Sequence, residues 1–266
     1  MPPDRPSAYL IDLDGTLYAG GAAIPGAVAA LAGLRAAGIP FRLVTNTSSR
    51  SRAMLVARLR EYGFEAGPGE LFTAVSAGLE HALQEGYRSA APFLPPAALP
   101  DLAGLDLAGG TSGRPPPEGW RPDAVLVGDL GERWTHAVMQ EAFEYLMDGA
   151  ALVALSRDRY WLREGRLTLD AGPFVAGLEY ACGRPAAVAG KPSPRFFGAA
   201  VSSLGGPAAG EVAMVGDDLW SDVGGAQAAG LRGWLVRSGK FRPEALETGE
   251  VVPDRILGSI AELMPG

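Results

Sequence analysis

The sequence contains few of the residues that build disulfide-rich or nitrogen-ligated sites. Its 266 residues include one cysteine, Cys182, and two histidines, His81 and His136. A single cysteine excludes an intramolecular disulfide framework, and two histidines far apart in sequence argue against a histidine-rich zinc site. We therefore expect any bound metal to be held mostly by oxygen atoms, which favours Mg²⁺ or a similar hard ion.

Long apolar runs and long basic runs are also missing. No apolar run reaches membrane-spanning length, and the first residues, MPPDRPS, lack the apolar centre of a signal peptide. The net charge is −7, and lysines and arginines form no long block. We therefore predict a cytoplasmic protein with neither a nucleic acid nor a membrane as its partner.

Short apolar segments alternate with amphipathic segments at both ends of the chain. Residues 8–11 and 40–45 are typical of buried strands, and residues 25–38 and 48–63 have the spacing and terminal signals of helices. The same alternation returns later, with a helix predicted at 193–205, a strand at 211–218, a helix at 221–230 and a strand at 231–236. Strand and helix in turn at this spacing predict a parallel sheet covered by helices.

A stretch of different composition separates these two parts. Residues 90–122 are rich in proline and glycine and have no clear period, which predicts a loop-rich segment. Strands at 123–129 and 151–156, helices at 134–147 and 173–183, and two short strands around a turn at Glu164–Gly165 are predicted to follow. We predict an α/β protein with a doubly wound parallel-sheet core of residues 1–79 and 188–266. An inserted, smaller α/β domain of residues 80–187 splits this core.

Polar side chains follow the strands of the predicted core. Because ligands bind outside the carboxyl ends of parallel strands, residues from separate segments are expected to meet at that edge. They are Asp12, Asp14, Gly15 and Thr16 after the first strand, Thr45, Asn46 and Thr47 after the second, Lys191 before a helix, and Gly216, Asp217, Asp218 and Asp222 after a later strand. Acids, hydroxyl and amide groups and a lysine at one edge indicate a site for a metal and an anion.

This set of groups suits phosphoryl transfer. Carboxylates hold Mg²⁺, which neutralises phosphate charge, while lysine and backbone N–H groups stabilise the equatorial oxygens of the transition state. Asp12 can attack phosphorus to form an aspartyl-phosphate, and Asp14 can protonate the leaving oxygen and then activate water. The spacing allows both acids to face one site, because Leu13 between them points its side chain away.

Four of these segments together resemble the haloacid dehalogenase superfamily of aspartate-nucleophile phosphatases. They are DLDGT, TN, GKP and GDDLWSD, in this order along the chain. The insert is similar to the C2-type cap of subfamily IIA, the branch of nitrophenyl-phosphatase, phosphoglycolate and pyridoxal-phosphate phosphatase-like enzymes. LEYACG, AGKPSPRFF and SGKFRP are most similar to the phospholysine phosphohistidine inorganic pyrophosphate phosphatases and their relatives. The resemblance implies Mg²⁺, a small phosphorylated substrate and a homodimer formed through the cap.

The resemblance also implies roles for the two acids of the first motif. Asp12 is expected to be the nucleophile and a metal ligand. Asp14 is expected to be the general acid/base and to offer its backbone carbonyl to the metal. Some relatives in the most similar branch lack an acid at the second position, so the presence of Asp14 keeps the general-acid route intact in this chain.

The remaining motif residues are expected to bind the phosphoryl group or the metal. The implied phosphoryl-binding residues are Thr45, Asn46 and Lys191, and the implied third metal ligand is Asp217, with Asp218 and Asp222 beside it. A structural interpretation stands next to the functional one for several of them. Threonine, asparagine or aspartate ahead of a helix often caps that helix, and a capped helix terminus is itself an anion site.

A group of arginines surrounds the predicted strand pair of the insert. We expect Arg163 and Arg166 to lie on a solvated face. Arg157 and Arg159 follow the end of a predicted strand, so they are candidates, together with Tyr160, for contacts with an anionic substrate.

Two other functions share parts of this pattern. A phospho-accepting signalling module also combines acids, a threonine and a lysine on a doubly wound sheet. Asp14 argues against it because a general acid promotes hydrolysis, and the large insert suits the enclosure of a substrate. Other chemistry of the same superfamily is the second alternative. Asp14 argues against dehalogenation, which needs no leaving-group acid, and the cap type argues by analogy against a phosphonatase or phosphomutase.

Overall fold

The computed structural model describes residues 5–163, 166–247 and 249–263. Its strands are β1 (Ala8–Asp12), β2 (Tyr18–Ala19), β3 (Ala22–Ala23), β4 (Phe41–Thr45), β5 (Leu71–Thr73), β6 (Ser89–Phe93), β7 (Asp106–Leu107), β8 (Ala124–Val127), β9 (Ala151–Ala154), β10 (Tyr160–Arg163), β11 (Arg166–Leu169), β12 (Ala187–Val188), β13 (Val212–Gly216), β14 (Arg232–Val236) and β15 (Arg255–Leu257). Its α-helices are α1 (Ala27–Ala36), α2 (Arg52–Glu61), α3 (Ala74–Gln84), α4 (His136–Met147), α5 (Gly172–Cys182), α6 (Pro194–Ser202), α7 (Gly225–Ala228) and α8 (Pro243–Glu247). Within the described residues, none of these helices combines the length and the apolarity that crossing a bilayer requires.

The chain divides into two compact units, and the first contains one large sheet. This unit comprises Met1–Thr45, Ala53–Phe72 and Lys191–Gly266. The strand order is β15-β14-β13-β1-β4-β5, with parallel pairing from β15 through to β4. The chain leaves β1 toward β4 and β5 on one side, and runs from β13 to β15 on the other. The predicted doubly wound α/β fold is confirmed, and its strand order reverses between β1 and β13.

The central strands of this sheet are continuously apolar. All five residues of β1 are buried, and so are all five of β13. Strands covered by helices on both faces need such runs, because neither face meets water. Tyr9, Leu43 and Trp234 belong to the core cluster on one face, and Asp12 is the last residue of β1. The apolar run therefore ends at the residue that carries the first carboxylate.

The second unit comprises Asn46–Arg52 and Thr73–Gly190. Its sheet has the order β12-β9-β8-β6-β7, and every pair is parallel. Strands β10 and β11 form a separate antiparallel pair, as predicted, while the predicted turn at Glu164–Gly165 lies outside the described residues. A stack of rings helps to fill the core, with Trp134 centred 6.0 Å from Phe93 and 5.0 Å from Phe174.

The boundaries between the units differ by a few residues from those predicted. Residues 46–52, 73–79 and 188–190 were predicted to lie in the core, but they group with the second unit. One physical reason is that the Arg52 N–H donates to Asp101 Oδ2 at 2.7 Å, within the 3₁₀ helix Pro96–Leu102 on which α3 also packs. The assignment of the two units as catalytic core and cap stays a prediction.

Two segments have a different secondary structure from the one predicted. The stretch 90–122 contains most of β6, a 3₁₀ helix and β7; Pro92 concealed the central strand β6, because proline rarely occurs in such strands. The helix predicted at 221–230 begins as a π-helical turn, Leu219–Gly224, and continues only briefly as α7. Glycine permits this close packing, since a Cβ at Gly225 would lie 2.8 Å from Phe197.

Candidate active site

The carboxyl ends of β1 and β13 lie side by side. Ile11 pairs with Val215 in the parallel register, so Asp12 at the end of β1 and Asp217 just after β13 emerge at the same edge. The strand order reverses between these two strands. Doubly wound sheets bind ligands at such a reversal point, because the loops diverge and leave a crevice.

Lys191 lies between two buried carboxylates. Its Nζ donates to Asp12 Oδ1 and to Asp222 Oδ1, each at 2.6 Å. The three residues are 4%, 7% and 1% exposed, respectively. Burial alone would lower the pKa of Lys191, but the charges of Asp12 and Asp222 outweigh it and raise the pKa above its usual value. The ammonium is therefore charged, and it holds both carboxylates in place.

Three buried acids form a cluster that fits a divalent cation. One carboxylate oxygen from each of Asp12, Asp217 and Asp222 lies within 4.8 Å of the others. Burial raises the pKa of all three, and the charges of Asp12 and Asp222 raise that of Asp217 further. When all three are ionised, as metal ligands must be, the single charge of Lys191 does not balance them. An all-oxygen donor set with excess negative charge suits a hard cation.

The carboxylate of Asp217 is enclosed by two glycine loops. A Cβ at Gly15, after β1, or at Gly239, after β14, would lie 2.0 Å from Asp217 Oδ2. The same oxygen accepts the backbone N–H of Lys240 at 2.6 Å. The hydroxyl of Ser238 donates to the carbonyl of Gly15 at 2.6 Å, which joins the two loops. Asp217 therefore has little room to move.

We expect Gly15→Ala to destabilise the protein more than a matched control does. Gly15 has φ +83° and the close contact with Asp217, whereas Gly20 has φ +58° and no atom within 4 Å of a built Cβ. Gly20→Ala should cost only the backbone strain, about 1–2 kcal/mol. Gly15→Ala adds the clash with Asp217 and should cost about 2–5 kcal/mol. Denaturant unfolding of both variants measures this, and equal losses would contradict it.

Asp218 and Asp222 are joined by the π-helical turn. Asp218 Oδ1 caps the turn by accepting from the N–H groups of Trp220 and Ser221, at 3.1 and 2.9 Å. Its other oxygen lies 3.2 Å from Lys240 Nζ. The N–H of Asp218 donates to Asp222 Oδ2 at 3.2 Å. Both oxygens of Asp222 therefore accept hydrogen bonds, from Lys191 and from Asp218, which suits a place beside the predicted metal ligands.

Asp14 lies in a tight turn that exposes its carboxylate. The N–H groups of Thr16 and Leu17 donate to the carbonyl of Leu13, and the hydroxyl of Tyr18 donates to Asp14 Oδ2 at 3.2 Å. Burial and the charge of Asp14 raise the pKa of Tyr18, so this hydroxyl keeps its proton. The side chain of Asp14 lies outside the acid cluster formed by Asp12, Asp217 and Asp222. Its roles as acid and as backbone ligand stay predictions.

Thr45 and Asn46 belong to different units. Thr45 is the buried last residue of β4, one position beyond Val44, which pairs with Asp12. Asn46 begins a segment of the second unit, where its side-chain amide donates to Asp158 Oδ2 at 3.0 Å. The sequence did not single out Asp158. Phosphoryl binding by Thr45 and Asn46 stays a prediction.

The residues of the insert that were predicted to contact the substrate make contacts within the second unit. Arg157 forms an ion pair with Glu179, with Nη2 and Oε2 2.6 Å apart. The guanidinium of Arg159 lies 5.9 Å from the centre of the Tyr160 ring, which is half exposed. Their predicted contacts with substrate remain untested predictions.

Two features of this site were not predicted from the sequence. Residues 238–240, in the loop after β14, were quoted only as part of the segment SGKFRP and were given no place in the site, although the strand at 231–236 was predicted. Applying the carboxyl-end rule to that strand as well would have indicated this loop. Tyr18 was not predicted either, because no periodicity marks a tyrosine that reaches back to an acid four residues earlier.

The chain is similar to known proteins over most of its length. A family model described as haloacid dehalogenase-like hydrolase matches residues 9–97, and one described as HAD-hydrolase-like matches residues 188–263. Haloacid dehalogenase-like hydrolase domain-containing protein 2 of Bos taurus is 40% identical over 237 residues, 88% of this chain and 85% of that protein. The phospholysine phosphohistidine inorganic pyrophosphate phosphatase of Bos taurus is 39% identical over 259 residues, 95% and 91% of the two chains. Among solved structures, a glycerol phosphate phosphatase from Mycobacterium tuberculosis in complex with magnesium is 30% identical with a TM-score of 0.84, covering 98% of this chain and 77% of that one.

Proposed function

The chain belongs to the haloacid dehalogenase-like hydrolases and is an enzyme of the phosphatase type, and we propose that it hydrolyses a small phosphorylated substrate through a phosphoryl group carried on Asp12. One observation carries the mechanism. Asp12 ends the central strand at the reversal point of the sheet, where Lys191 holds it beside Asp217 and Asp222. The proposed nucleophile, the buried ammonium group of Lys191 and two further acids thus lie together where a ligand is expected.

The residues around Asp12 bind and orient the reacting groups. Lys191 holds Asp12 Oδ1 and keeps the carboxylate in one orientation for attack. Mg²⁺ is the proposed cofactor; when bound, it would neutralise charge on the phosphoryl oxygens. Asp12 and Asp217 would hold it, together with the backbone carbonyl of Asp14. Asp222 and Asp218 would support this set by hydrogen bonds.

In the two proposed steps, Asp14 first gives up a proton and then takes one back. First, a carboxylate oxygen of Asp12 attacks phosphorus as the bond to the leaving oxygen breaks, and Asp14 gives that oxygen its proton. Second, water attacks the phosphoryl group as Asp14 takes the proton of the water, and the bond to Asp12 breaks. Inorganic phosphate leaves, and Asp14 is protonated again. The exposed carboxylate of Asp14 suits exchange with a substrate that comes from solvent.

Turnover of a panel of phosphate compounds by the full chain tests this proposal. The panel should contain 4-nitrophenyl phosphate, glycerol phosphate, pyrophosphate and phosphorylated amino acids, each with Mg²⁺ and with EDTA. We expect Mg²⁺-dependent phosphate release and, after an acid quench, a phosphoryl group on the peptide that contains Asp12. No release from any compound would overturn the proposal. A phosphoryl group that persists on Asp12 without turnover would instead indicate a signalling module.

Mg²⁺ is expected to stabilise the protein more at higher pH. In the metal-free protein, burial raises the pKa of Asp217 from 3.8 to about 8. Because this folded-state pKa is raised, the stability that it contributes is complete below about pH 4 and is lost as the pH rises toward about 8. Mg²⁺ displaces the proton, so the increase in Tm on adding Mg²⁺ should be larger at about pH 8.5 than at about pH 6.

Thermal unfolding with Mg²⁺ or EDTA at the two pH values measures this difference. Asp217→Asn removes this titrating group together with a proposed metal ligand, so the increase in Tm on adding Mg²⁺ should be smaller at both pH values. An increase in Tm that is equal at both pH values in the unaltered protein would contradict the prediction.

The proposed partner of the site is a small phosphorylated molecule; two similar proteins are named as phosphatases of phospholysine, phosphohistidine and inorganic pyrophosphate and of glycerol phosphate. The sequence leaves its identity open, and the panel above is chosen to identify its chemical class. A homodimer formed through the second unit and a cytoplasmic location stay predictions.

A further inference from the structure

Tyr18 connects the exposed acid of the first motif to the protein core. Its side chain is 2% exposed, and its ring lies 5.2 Å from the ring of Tyr62, centre to centre. The guanidinium of Arg58 lies 5.2 Å from the centre of the Tyr18 ring, on which it stacks. The hydroxyl reaches Asp14 Oδ2 at 3.2 Å. A rigid, buried ring thus holds one oxygen of a carboxylate that is otherwise in solvent.

Backbone hydrogen bonds also fix the chain around Tyr18. The N–H of Gly15 donates to the carbonyl of Tyr18 at 2.8 Å, and the N–H of Tyr18 donates to the carbonyl of Leu13. Tyr18 also pairs with Ala23 in the short β2–β3 ladder. These bonds leave the ring and the turn that carries Asp14 in one arrangement. A carboxylate held in this way samples few other rotamers, so it stays in the orientation that proton transfer requires.

We propose that Tyr18 is a positioning residue for Asp14, holding Oδ2 by its hydroxyl so that Oδ1 is the oxygen that serves the leaving group. This inference rests on the proposed function, in which Asp14 is the general acid. As the bond from phosphorus to the leaving oxygen breaks, the proton passes from Asp14 Oδ1 to that oxygen. The hydroxyl of Tyr18 then donates to the carboxylate that forms, and the water of the second step returns the proton.

The dependence on the leaving group separates this role from a structural one. An alkyl phosphate has a poor leaving oxygen that needs the proton, whereas 2,4-dinitrophenyl phosphate has a good one that does not. The measured quantity is kcat/KM, which covers the steps up to the departure of the leaving group and does not depend on the later hydrolysis of the phosphoryl-enzyme. The experiment compares glycerol phosphate with 2,4-dinitrophenyl phosphate, with Mg²⁺, for the unaltered protein and the variants Tyr18→Phe, Asp14→Asn and Tyr62→Phe.

Tyr18→Phe is expected to lower kcat/KM for glycerol phosphate about 10-fold and for 2,4-dinitrophenyl phosphate less than about 2-fold. Asp14→Asn should show the same selectivity with a larger loss, on the order of 10²–10⁴-fold for glycerol phosphate. Tyr62→Phe is the matched control, because it removes a neighbouring hydroxyl that does not touch Asp14. It should change neither value more than about 2-fold.

The ratio of the two kcat/KM values within one preparation does not depend on the folded fraction, so partial unfolding of Tyr18→Phe leaves the test valid. A uniform loss for both substrates in Tyr18→Phe, while Asp14→Asn is selective, overturns the role of Tyr18 alone. An Asp14→Asn variant without selectivity overturns the general-acid role, and the inference about Tyr18 with it. An unaltered protein that releases no phosphate from any ester overturns the proposed function itself.

Discussion

Asp12→Asn is expected to lower kcat by about 10⁴-fold or more, because an amide cannot form the phosphoryl-enzyme proposed for Asp12. The fold should survive, since Lys191 keeps its ion pair with Asp222 when Asp12 loses its charge. Phosphate release with Mg²⁺ measures the loss. Acid-quenched protein should show no phosphoryl group on the peptide that contains residue 12. Thermal unfolding checks that the variant is folded.

Asp106→Asn is a suitable control for this substitution. Its carboxylate lies on the surface of the second unit, paired with Arg114 at 2.6 Å, and the exchange is chemically the same. We expect unchanged turnover, because an exposed pair of this kind contributes little to stability. A folded Asp12→Asn variant that retained turnover near that of Asp106→Asn would contradict the assignment of Asp12 as nucleophile.

Lys191→Met is expected to destabilise the protein by about 3–5 kcal/mol and to abolish turnover, because it leaves buried carboxylates without their cation. Asp12 and Asp222 each lose a bond of 2.6 Å to the ammonium. Methionine keeps a long side chain, so the packing changes less than the charge. Denaturant unfolding measures the loss, and turnover with Mg²⁺ measures the second effect.

The destabilisation should depend on pH and should exceed that of a neighbouring lysine. Burial raises the pKa of Asp222 to about 7, so lowering the pH from about 8 to about 6 protonates its carboxylate and should recover part of the stability of Lys191→Met. Lys240→Met is the control, because its side chain is 61% exposed and its ion pair with Asp218 should contribute less than about 1 kcal/mol. Equal losses in the two variants would contradict the prediction.

Much of the fold was predictable because its signals are local. A buried strand needs a continuous apolar run, and AYLI followed by an acid marks both β1 and its end. Strand β6 was missed because Pro92 interrupts its pattern, although the carbonyl of Pro92 still accepts from the N–H of Thr111 at 2.8 Å. The boundary near residue 73 was missed because α3 continues the regular alternation of the first unit and only its packing places it in the second.

The candidate site was predictable in its residue types and less so in its contacts. Asp12, Lys191 and Asp217 were named from the ends of strands, and the structure brings them together. Asp222 was expected to stand beside the metal ligands; its carboxylate joins the acid cluster while both of its oxygens accept hydrogen bonds. The enclosure of Asp217 by Gly15 and Gly239 had no local signal, because a glycine in sequence does not show what its missing Cβ would meet.

Local patterns indicate which functional groups are available and at which strand ends they occur, because an apolar run and the acid that follows it span only a few residues. Which of these groups come into contact depends on the three-dimensional fold. Lys191 bonds to Asp12 across 179 residues, and Ser238 bonds to Gly15 across 223. Such pairs depend on which strands are neighbours in the sheet. The strand order depends in turn on how the apolar faces of the whole sheet are buried. The charge balance of the site, and the hold of Tyr18 on Asp14, follow from that order and from the fold of one short turn.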